Sequence, residues 1–443
     1  MAFASSPGSV EAAAPTEDRE PAPVALDAGA CAALSATPTL ELSMSFLSEA
    51  VRRINPSPTI AMTQRARELR ASGRDVIGLA AGEPDFDTPA HIREAAAAAM
   101  DRGDTRYTAP DGTPALKAAI AAARARDWGE TVAPAEIQVT AGGKQALFNA
   151  LLATLDPGDE VIVPAPYWVS YPDIVRLCGA TPVVVPTQAQ DGFRLRPEAL
   201  AAAITPRTKW LILNNPGNPT GAGYAAQALA ALAEVLAAHP QVWTLSDEIY
   251  GPIAFAPFEF RSFTAVAPAL RDRTLIVDGV SKAYAMTGWR IGWGIGPTPL
   301  LDAMRKVQSQ STTNACSISQ AAAAAALEGP QDFIGESRAA FRRRRDAVVA
   351  ALDACPGLSC PEPEGAFYVY PSVAGALGRT SRGGRALADD AAFCEALLEE
   401  EGVALVAGSA FGLSPHVRLS YAAADAVLAE ACARIRRFCD GLS

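Results

Sequence analysis

The sequence predicts an α/β fold: a mostly parallel sheet covered by helices, with a smaller α+β domain attached. Three observations carry that expectation. Between about residues 90 and 335, strand-length apolar runs alternate with Ala/Leu-rich helical stretches, the pattern of strand–helix–strand units. The runs are apolar almost throughout rather than at every second position, as strands buried on both faces require. Beyond about residue 335 the rhythm changes to helices separated by isolated strand-like segments.

In chain order the strand candidates are EIQVT (136–140), EVIVP (160–164), TPVVVP (181–186), WLILN (210–214), VWTLS (242–246) and TLIVD (274–278). The first leads through a two-glycine turn into AGGKQALFNALL, a helix whose Leu147, Leu151 and Leu155 make one apolar stripe and which Pro157-Gly158 ends. After 335 come a long helical stretch, the strand-like GAFYVYP, a Gly/Arg-rich loop (377–385), another helix and HVRLSY. Residues 44–89 are assigned to the smaller domain, because a chain that enters and leaves one large domain tends to leave its two ends together. The expected organisation is a disordered extension over 1–43, a segment over 44–89 packing with the small domain, a large α/β domain over 90–335 and a small α+β domain over 336–443.

Composition narrows the function classes. The 443 residues hold 38 Lys+Arg against 48 Asp+Glu, a net charge of −10. Neither nucleic acid nor an anionic membrane surface suits that balance, since both need a basic face. FRRRRD (341–346), the one dense basic run, reads as a solvated helix face with local ion pairs. Eight cysteines, at 31, 178, 316, 355, 360, 394, 432 and 439, form no CxxC pair. They read as buried free thiols in a reducing, cytoplasmic setting rather than as a metal site or disulfide framework. No apolar stretch is long enough to span a bilayer. The first 43 residues, with EAAAPTEDREPAP, lack the marks of a secretion signal or transit peptide, and MSFLSEAVRRI makes Met44 a candidate start.

Polar residues collect at the carboxyl ends of the strands, where open α/β sheets place their ligand crevice. Gly142, Gly143 and Lys144 open a helix whose free N–H groups suit phosphate, although glycines are also ordinary in tight strand–helix turns. The turn is no Walker loop, because Gln145 follows Lys144, and GWGIG (292–296) lacks the dinucleotide-binding spacing. APYWVSYP offers the flat ring of Trp168, and NNPGNPTG presents the Asn218 amide. LSDEIY places Asp247 and Tyr250 after a buried strand, where an unpaired acid is costly. VSKAYAMTGWRIGW adds Lys282 just past TLIVD and Arg290 eight residues on. An anion-binding turn, an aromatic plate, an amide, an acid with a phenol, and a lysine with an arginine together match pyridoxal phosphate.

On these blocks the chain resembles the pyridoxal-phosphate-dependent aminotransferases of fold type I, class I, and within them the bacterial and plastid aspartate aminotransferases that often also accept prephenate. The resemblance covers roughly residues 45–440, through LAAGEPDFDTP, RYTAPDGTPALKAAI, TAGGKQALFNA, PAPYWVSYP, NNPGNPTG, LSDEIY, SKAYAMTGWRIGW, PEGAFYVYP and FGLSPHVRLSYA. It implies that residues 90–335 bind the cofactor. Lys282 resembles the Schiff-base lysine and Arg290 the phosphate-binding arginine, helped by Ser281 and the backbone at Gly143 and Lys144. Asp247 resembles the partner of the pyridine nitrogen, Tyr250 and Asn218 the donors to the ring oxygen, and Trp168 the stacking plate. Tyr107 resembles the tyrosine that reaches the neighbouring subunit's cofactor, which implies a homodimer with shared active sites. Arg418 resembles the arginine that forks the substrate α-carboxylate, as a lysine could not, with Gly82 lending backbone contact. Trp168 and Asn218 also border the substrate.

Lys144 and Thr59 match positions that relatives use for a distal carboxylate. The implied function is aspartate aminotransferase, moving the amino group of L-aspartate to 2-oxoglutarate. The alternatives are an aspartate/glutamate–prephenate aminotransferase forming arogenate, or another pyridoxal-phosphate aminotransferase of the class. Two departures stand out: Asn55 where relatives carry lysine, as NPS for KPS, and Gly279 where some place a phosphate-binding serine. A lyase or decarboxylase would share Lys282, Asp247 and Arg290 but has less use for two cationic grips. A regulatory protein on the same fold would bring a DNA-binding segment, and none is legible.

Overall fold

Twelve strands occur among the residues that the computed structural model describes, 46–443. In chain order they are β1 (Ile77–Gly78), β2 (Ile137–Thr140), β3 (Glu160–Ala165), β4 (Thr181–Pro186), β5 (Thr208–Asn214), β6 (Trp243–Asp247), β7 (Thr274–Gly279), β8 (Gly292–Ile295), β9 (Tyr368–Val369), β10 (Val403–Ala404), β11 (Val406–Ala407) and β12 (Val417–Ser420). The proposed extension over 1–43, Met44 as a start and Cys31 lie outside the described residues.

Seven strands form one sheet in the order β2-β8-β7-β6-β5-β3-β4. Strands β4, β3, β5, β6 and β7 run parallel, and β8 runs antiparallel to both of its neighbours. Because β2 is antiparallel to β8, it points the same way as β7. The carboxyl ends of β2, β3, β5, β6 and β7 therefore share one edge. Successive residues of a strand enter different cores, as continuous apolar runs require. Val161 and Val163 pack with Leu147, Leu151 and Met304, while Ile162 packs with Leu229 and Leu232 on the other face.

Two expectations about the strands need correction. TPVVVP is one of the sheet's two edge strands, half-exposed with Val184 at 39 %, because among the described residues nothing pairs with its outer side. GWGI was missed as a strand, since two glycines in four residues give no propensity signal. Its glycines are there for close approach. A Cβ on Gly292 would stand 2.3 Å from the Gly143 nitrogen and 2.7 Å from the Gly142 carbonyl carbon. A Cβ on Gly279 would stand 2.9 Å from both the Gly292 Cα and the Ile291 oxygen. The ends of β7 and β8 and the turn after β2 are pressed together backbone to backbone.

Strands β11, β12 and β9 form a three-stranded antiparallel sheet, packed with the helices Asp332–Asp353, Asp390–Glu401 and Asp425–Asp440 around Phe341, Phe367, Phe393, Leu397 and Phe438. β1 pairs in parallel with β10, which brings residues 77–78 alongside residues 403–404.

The basic run FRRRRD is not a solvated face. Arg342 and Arg343 are exposed, but Arg344 and Arg345 are buried. Arg344 forks Asp85, and Arg345 donates to the Pro363 carbonyl and lies over the Phe255 ring. At a helical period of 3.6, four consecutive arginines must face both ways. Of the thiols, Cys355, Cys360, Cys394, Cys432 and Cys439 are buried, Cys178 is half-buried, and Cys316 is exposed, contrary to the all-buried expectation.

Gly292→Ala is expected to destabilise the protein by about 1–3 kcal/mol through overpacking against a backbone that cannot rotate away. Chemical denaturation checks this, and an unchanged midpoint would mean that β8 and the glycine turn are free to separate.

Candidate active site

The shared strand edge opens into a cavity of about 310 Å³. Its floor is set by the glycine turn. Gly142 has φ +87°, a conformation side chains avoid, and a Cβ there would meet the Arg290 guanidinium at 2.3 Å. The helix Gly143–Thr154 begins at this point, so its unpaired first-turn N–H groups and positive end lie beside Arg290. Arg290 donates to the Thr287 carbonyl at 2.9 Å and the Ala141 carbonyl at 3.3 Å, and no carboxylate neutralises it among the described residues. The result is a cationic corner built for an anion. Ser281 lines it, and Gly279 leaves no room for the side chain that some relatives carry there.

Asp247, at the end of β6, is buried. The Tyr171 hydroxyl donates to its Oδ2 at 2.6 Å and the Ile249 N–H reaches its Oδ1 at 3.4 Å. Burial pushes the carboxyl up to about 6, against the pull of the Tyr171 hydrogen bond. Such an acid gains from a positively charged partner in the cavity it faces. Its main-chain carbonyl accepts from the Asn214 amide at 3.0 Å, and the Asn214 side-chain oxygen accepts from the Asn218 N–H at 2.7 Å. The loop after β5 is thus tied to β6. Tyr250 is buried with its hydroxyl 2.9 Å from that of Tyr368, and burial raises its pKa well above the ordinary phenol value.

Lys282 follows the end of β7 and donates to the Gly82 carbonyl at 2.8 Å. Burial in the cavity pushes its amine down to about 8; Glu83 opposes the shift, and the Arg290 and Arg418 cations reinforce it. At pH 7.5 such an amine is neutral about a quarter of the time, against about one part in a thousand for an ordinary lysine. Gly82 must be glycine here, since a Cβ would stand 2.4 Å from the Tyr368 hydroxyl.

Arg418, on β12, is 2 % exposed and has no acid partner among the described residues. It donates to the Asn218 side-chain oxygen at 2.9 Å and to the Ala80 carbonyl, its guanidinium lies 4.8 Å from the Tyr368 and Phe411 ring centres, and its Nε has no partner among the described residues. A buried cation held only by neutral groups lowers its own pKa and is poised for a carboxylate from outside. The Lys144 ammonium, also in the cavity lining, sits 4.7 Å over the Trp168 ring, its pKa lowered by burial and by Arg290. The Thr59 hydroxyl, in the first turn of the helix Pro58–Ala71, is buried without a partner among the described residues. Trp168 is set on edge to the Tyr171 ring, 5.3 Å away at 85°.

Of the residues singled out in the sequence, Thr59, Gly82, Gly143, Lys144, Trp168, Asn218, Asp247, Tyr250, Ser281, Lys282, Arg290 and Arg418 all line this one cavity. Tyr107 does not; it is 89 % exposed. Asn55 is exposed and does not line the cavity. Tyr171, Tyr368 and Asn214 were missed. Tyr171 sits three residues beyond Trp168 in YWVSYP, a helical spacing that puts both rings on one side. Nothing local distinguishes Tyr368 from core aromatics. Among the described residues no cluster of His, Cys, Asp and Glu could hold a metal ion, and no helix is long and apolar enough to cross a membrane.

Comparison with known proteins agrees with this architecture. Residues 74–435 match the family model for aminotransferase class I and II. The aspartate/prephenate aminotransferase of Cereibacter sphaeroides is 60 % identical over 400 residues, which are 90 % of this chain and 100 % of that one. The aspartate aminotransferase of Rhizobium meliloti is 52 % identical over 89 % of this chain and 96 % of that protein. A crystal structure of Rhizobium meliloti aspartate aminotransferase superposes with a TM-score of 0.87 at 51 % identity, covering 90 % of this chain and 99 % of the other. That of Thermus thermophilus with maleate gives 0.83 at 45 % identity over 88 % and 99 %. With its mostly parallel sheet of fold type I and its lysine-bearing strand edge, the chain belongs to the class I and II aminotransferases, a pyridoxal-phosphate-dependent family of transaminases.

Proposed function

We propose that this protein is an aspartate aminotransferase, transferring the amino group of L-aspartate to 2-oxoglutarate on pyridoxal phosphate and releasing oxaloacetate and L-glutamate. The carrying observation is one cavity whose lining brings together Lys282, hydrogen-bonded to the Gly82 carbonyl, and two cationic grips, Arg418 and Lys144.

The donor set fits the cofactor. The unneutralised Arg290 and the first turn of the helix Gly143–Thr154, with Ser281, suit its phosphate. Asp247 faces the same space with a raised pKa, suiting the pyridine nitrogen, and Trp168 supplies a flat wall. Tyr250 and Asn218 carry donors for the ring oxygen. When bound, the group supplies an aldehyde that captures amines and a ring that accepts electrons from the carbon bearing the amine.

The chain's own part then follows. The carboxylate of Asp247 keeps a proton on the ring nitrogen by its charge, and Tyr171 holds that carboxylate in place. Arg418 forks the substrate α-carboxylate, while Lys144 and Thr59 meet the distal one, so a four-carbon or five-carbon dicarboxylate spans the cavity. Lys282, neutral often enough at physiological pH, takes the proton from the substrate α-carbon and returns it on the other side of the exchange. The backbone at Gly82 orients that amine. We assign the protein to the cytoplasm and to a homodimer in which Tyr107, exposed on one protomer, completes the partner's site.

A donor panel with 2-oxoglutarate, prephenate being tested as an acceptor of the amino group, checks the substrate assignment. Aspartate should lead, and preference for an aromatic or alanine donor would overturn it. The name of the Cereibacter sphaeroides relative makes prephenate the second reading.

Purified protein given pyridoxal phosphate should turn yellow and carry a borohydride-fixed adduct at Lys282, which Lys282→Ala abolishes; a colourless wild type would end the proposal. Arg418→Ala should lose about 2–5 kcal/mol of aspartate kcat/KM, roughly 30- to 4,000-fold, while keeping its cofactor, and equal loss of both would remove its role. The amine reacts only when neutral, so the rate of cofactor uptake by the apoprotein should rise with pH and level off above about 8. A rate still climbing toward pH 10 would contradict the lowered pKa.

A further inference from the structure

Residues 79–88, LAAGEPDFDT, are irregular chain after β1 that puts Gly82 in the cavity wall, and their hydrogen bonds reach several neighbouring segments in turn. Leu79 is tied to Ala404 at 3.0 Å and to Ser420 at 2.9 Å through the backbone. The Ala80 carbonyl accepts from Arg418 and the Gly82 carbonyl from Lys282. Glu83 accepts from the Thr287 hydroxyl at 2.5 Å, and Thr88 donates to the Ala285 carbonyl at 2.7 Å and accepts from the Trp289 indole at 3.0 Å. The segment is a strap joining the arginine on β12 to the lysine loop 281–290.

An irregular strap has no sheet ladder to fix it, so something must hold its centre. Arg344, from the basic run in the helix Asp332–Asp353, does so. Its Nη1 and Nη2 meet the two carboxylate oxygens of Asp85 at 2.7 and 2.9 Å, a bidentate fork. Its Nε donates to Asp425 at 2.8 Å, and its guanidinium lies over the Phe86 ring, 5.1 Å from the centre. The Arg344 side chain is 9 % exposed and that of Asp85 26 %, whereas that of Asp425 is 67 % exposed. The fork to the strap is therefore the sheltered half of the clamp, and the bond to Asp425 is the solvated half, of small worth.

We propose that Arg344 is a positioning residue for the amino-transfer site: through Asp85 it fixes the strap, and so the carbonyls of Ala80 and Gly82 that orient Arg418 and Lys282. This rests on the roles proposed above for those two residues. A lysine at 344 keeps the charge but cannot fork both oxygens, and Asp85→Asn removes the charge from the strap side. Misplacement by about 1 Å in such a site costs up to about a hundredfold.

The test uses the holoenzyme of wild type, Arg344→Lys, Asp85→Asn and Asp425→Asn, with cofactor content, melting temperature, kcat and KM for aspartate measured on each. Arg344→Lys and Asp85→Asn should each lose about tenfold to a hundredfold in kcat/KM, felt in both kcat and KM, at full cofactor content. The double variant should be no worse than the singles, since both break one contact. Asp425→Asn removes the other half of the clamp and should stay within about twofold of wild type. The proposal is overturned if Asp85→Asn keeps wild-type kinetics, or if Asp425→Asn loses as much as it does, which would reduce Arg344 to a helix brace. Should Arg344→Lys fail to fold, Asp85→Asn decides alone. A wild type that takes up no cofactor would instead sink the function proposed above.

Discussion

Backbone against backbone at the ends of β7 and β8 is the constraint on which the rest of the site depends. Gly279, Gly292 and the turn at Gly142–Gly143 lie so close that a single methylene at Gly279 or Gly292 would overlap main-chain atoms. Main chain cannot swing aside as a side chain can, so this contact fixes three things together. It sets the start of the helix Gly143–Thr154, the loop that returns through Arg290, and the exit of the chain toward Lys282. A side chain at 279 would meet the Gly292 Cα and the Ile291 oxygen, and Ser281 lines the cavity.

Charge is distributed around that frame so that each group lacks something a ligand can bring. Asp247 is an acid made weaker by burial, Lys282 an amine made less basic by burial and by two nearby cations, and Arg418 a guanidinium with only amide, carbonyl and aromatic partners. Folding such groups costs stability, because each is desolvated without full compensation. A cationic ring, an aldehyde and a carboxylate would supply the missing partners, which is the physical content of the functional reading.

The clamp at Arg344 adds a link between parts of the chain. The long helix Asp332–Asp353 packs against the small sheet and also reaches the strap through Asp85, and the strap's carbonyls meet both the lysine and the arginine. An arginine run that reads as a solvated surface by composition thus divides into two exposed and two buried members, Arg344 meeting Asp85 and Arg345 lying over Phe255, both far away in sequence.

Much of this was legible in the amino-acid order. Continuous apolar runs marked six strands, two of which lie at the sheet's edges, and the sequence blocks from PSPT to HVRLSY together named twelve residues that line one cavity. These signals are local: burial on both faces demands continuous hydrophobicity, and turn chemistry demands glycine, proline and asparagine. Three things were decided only in three dimensions. β8 forms because its neighbours accept a glycine strand, Tyr171 matters because its hydroxyl reaches Asp247 from 76 residues away, and Arg344 is buried because Asp85 meets it across 259 residues. Contacts between distant segments leave no periodic trace in either segment, so residue order determined which chemistry was available and the packing decided which groups would share it.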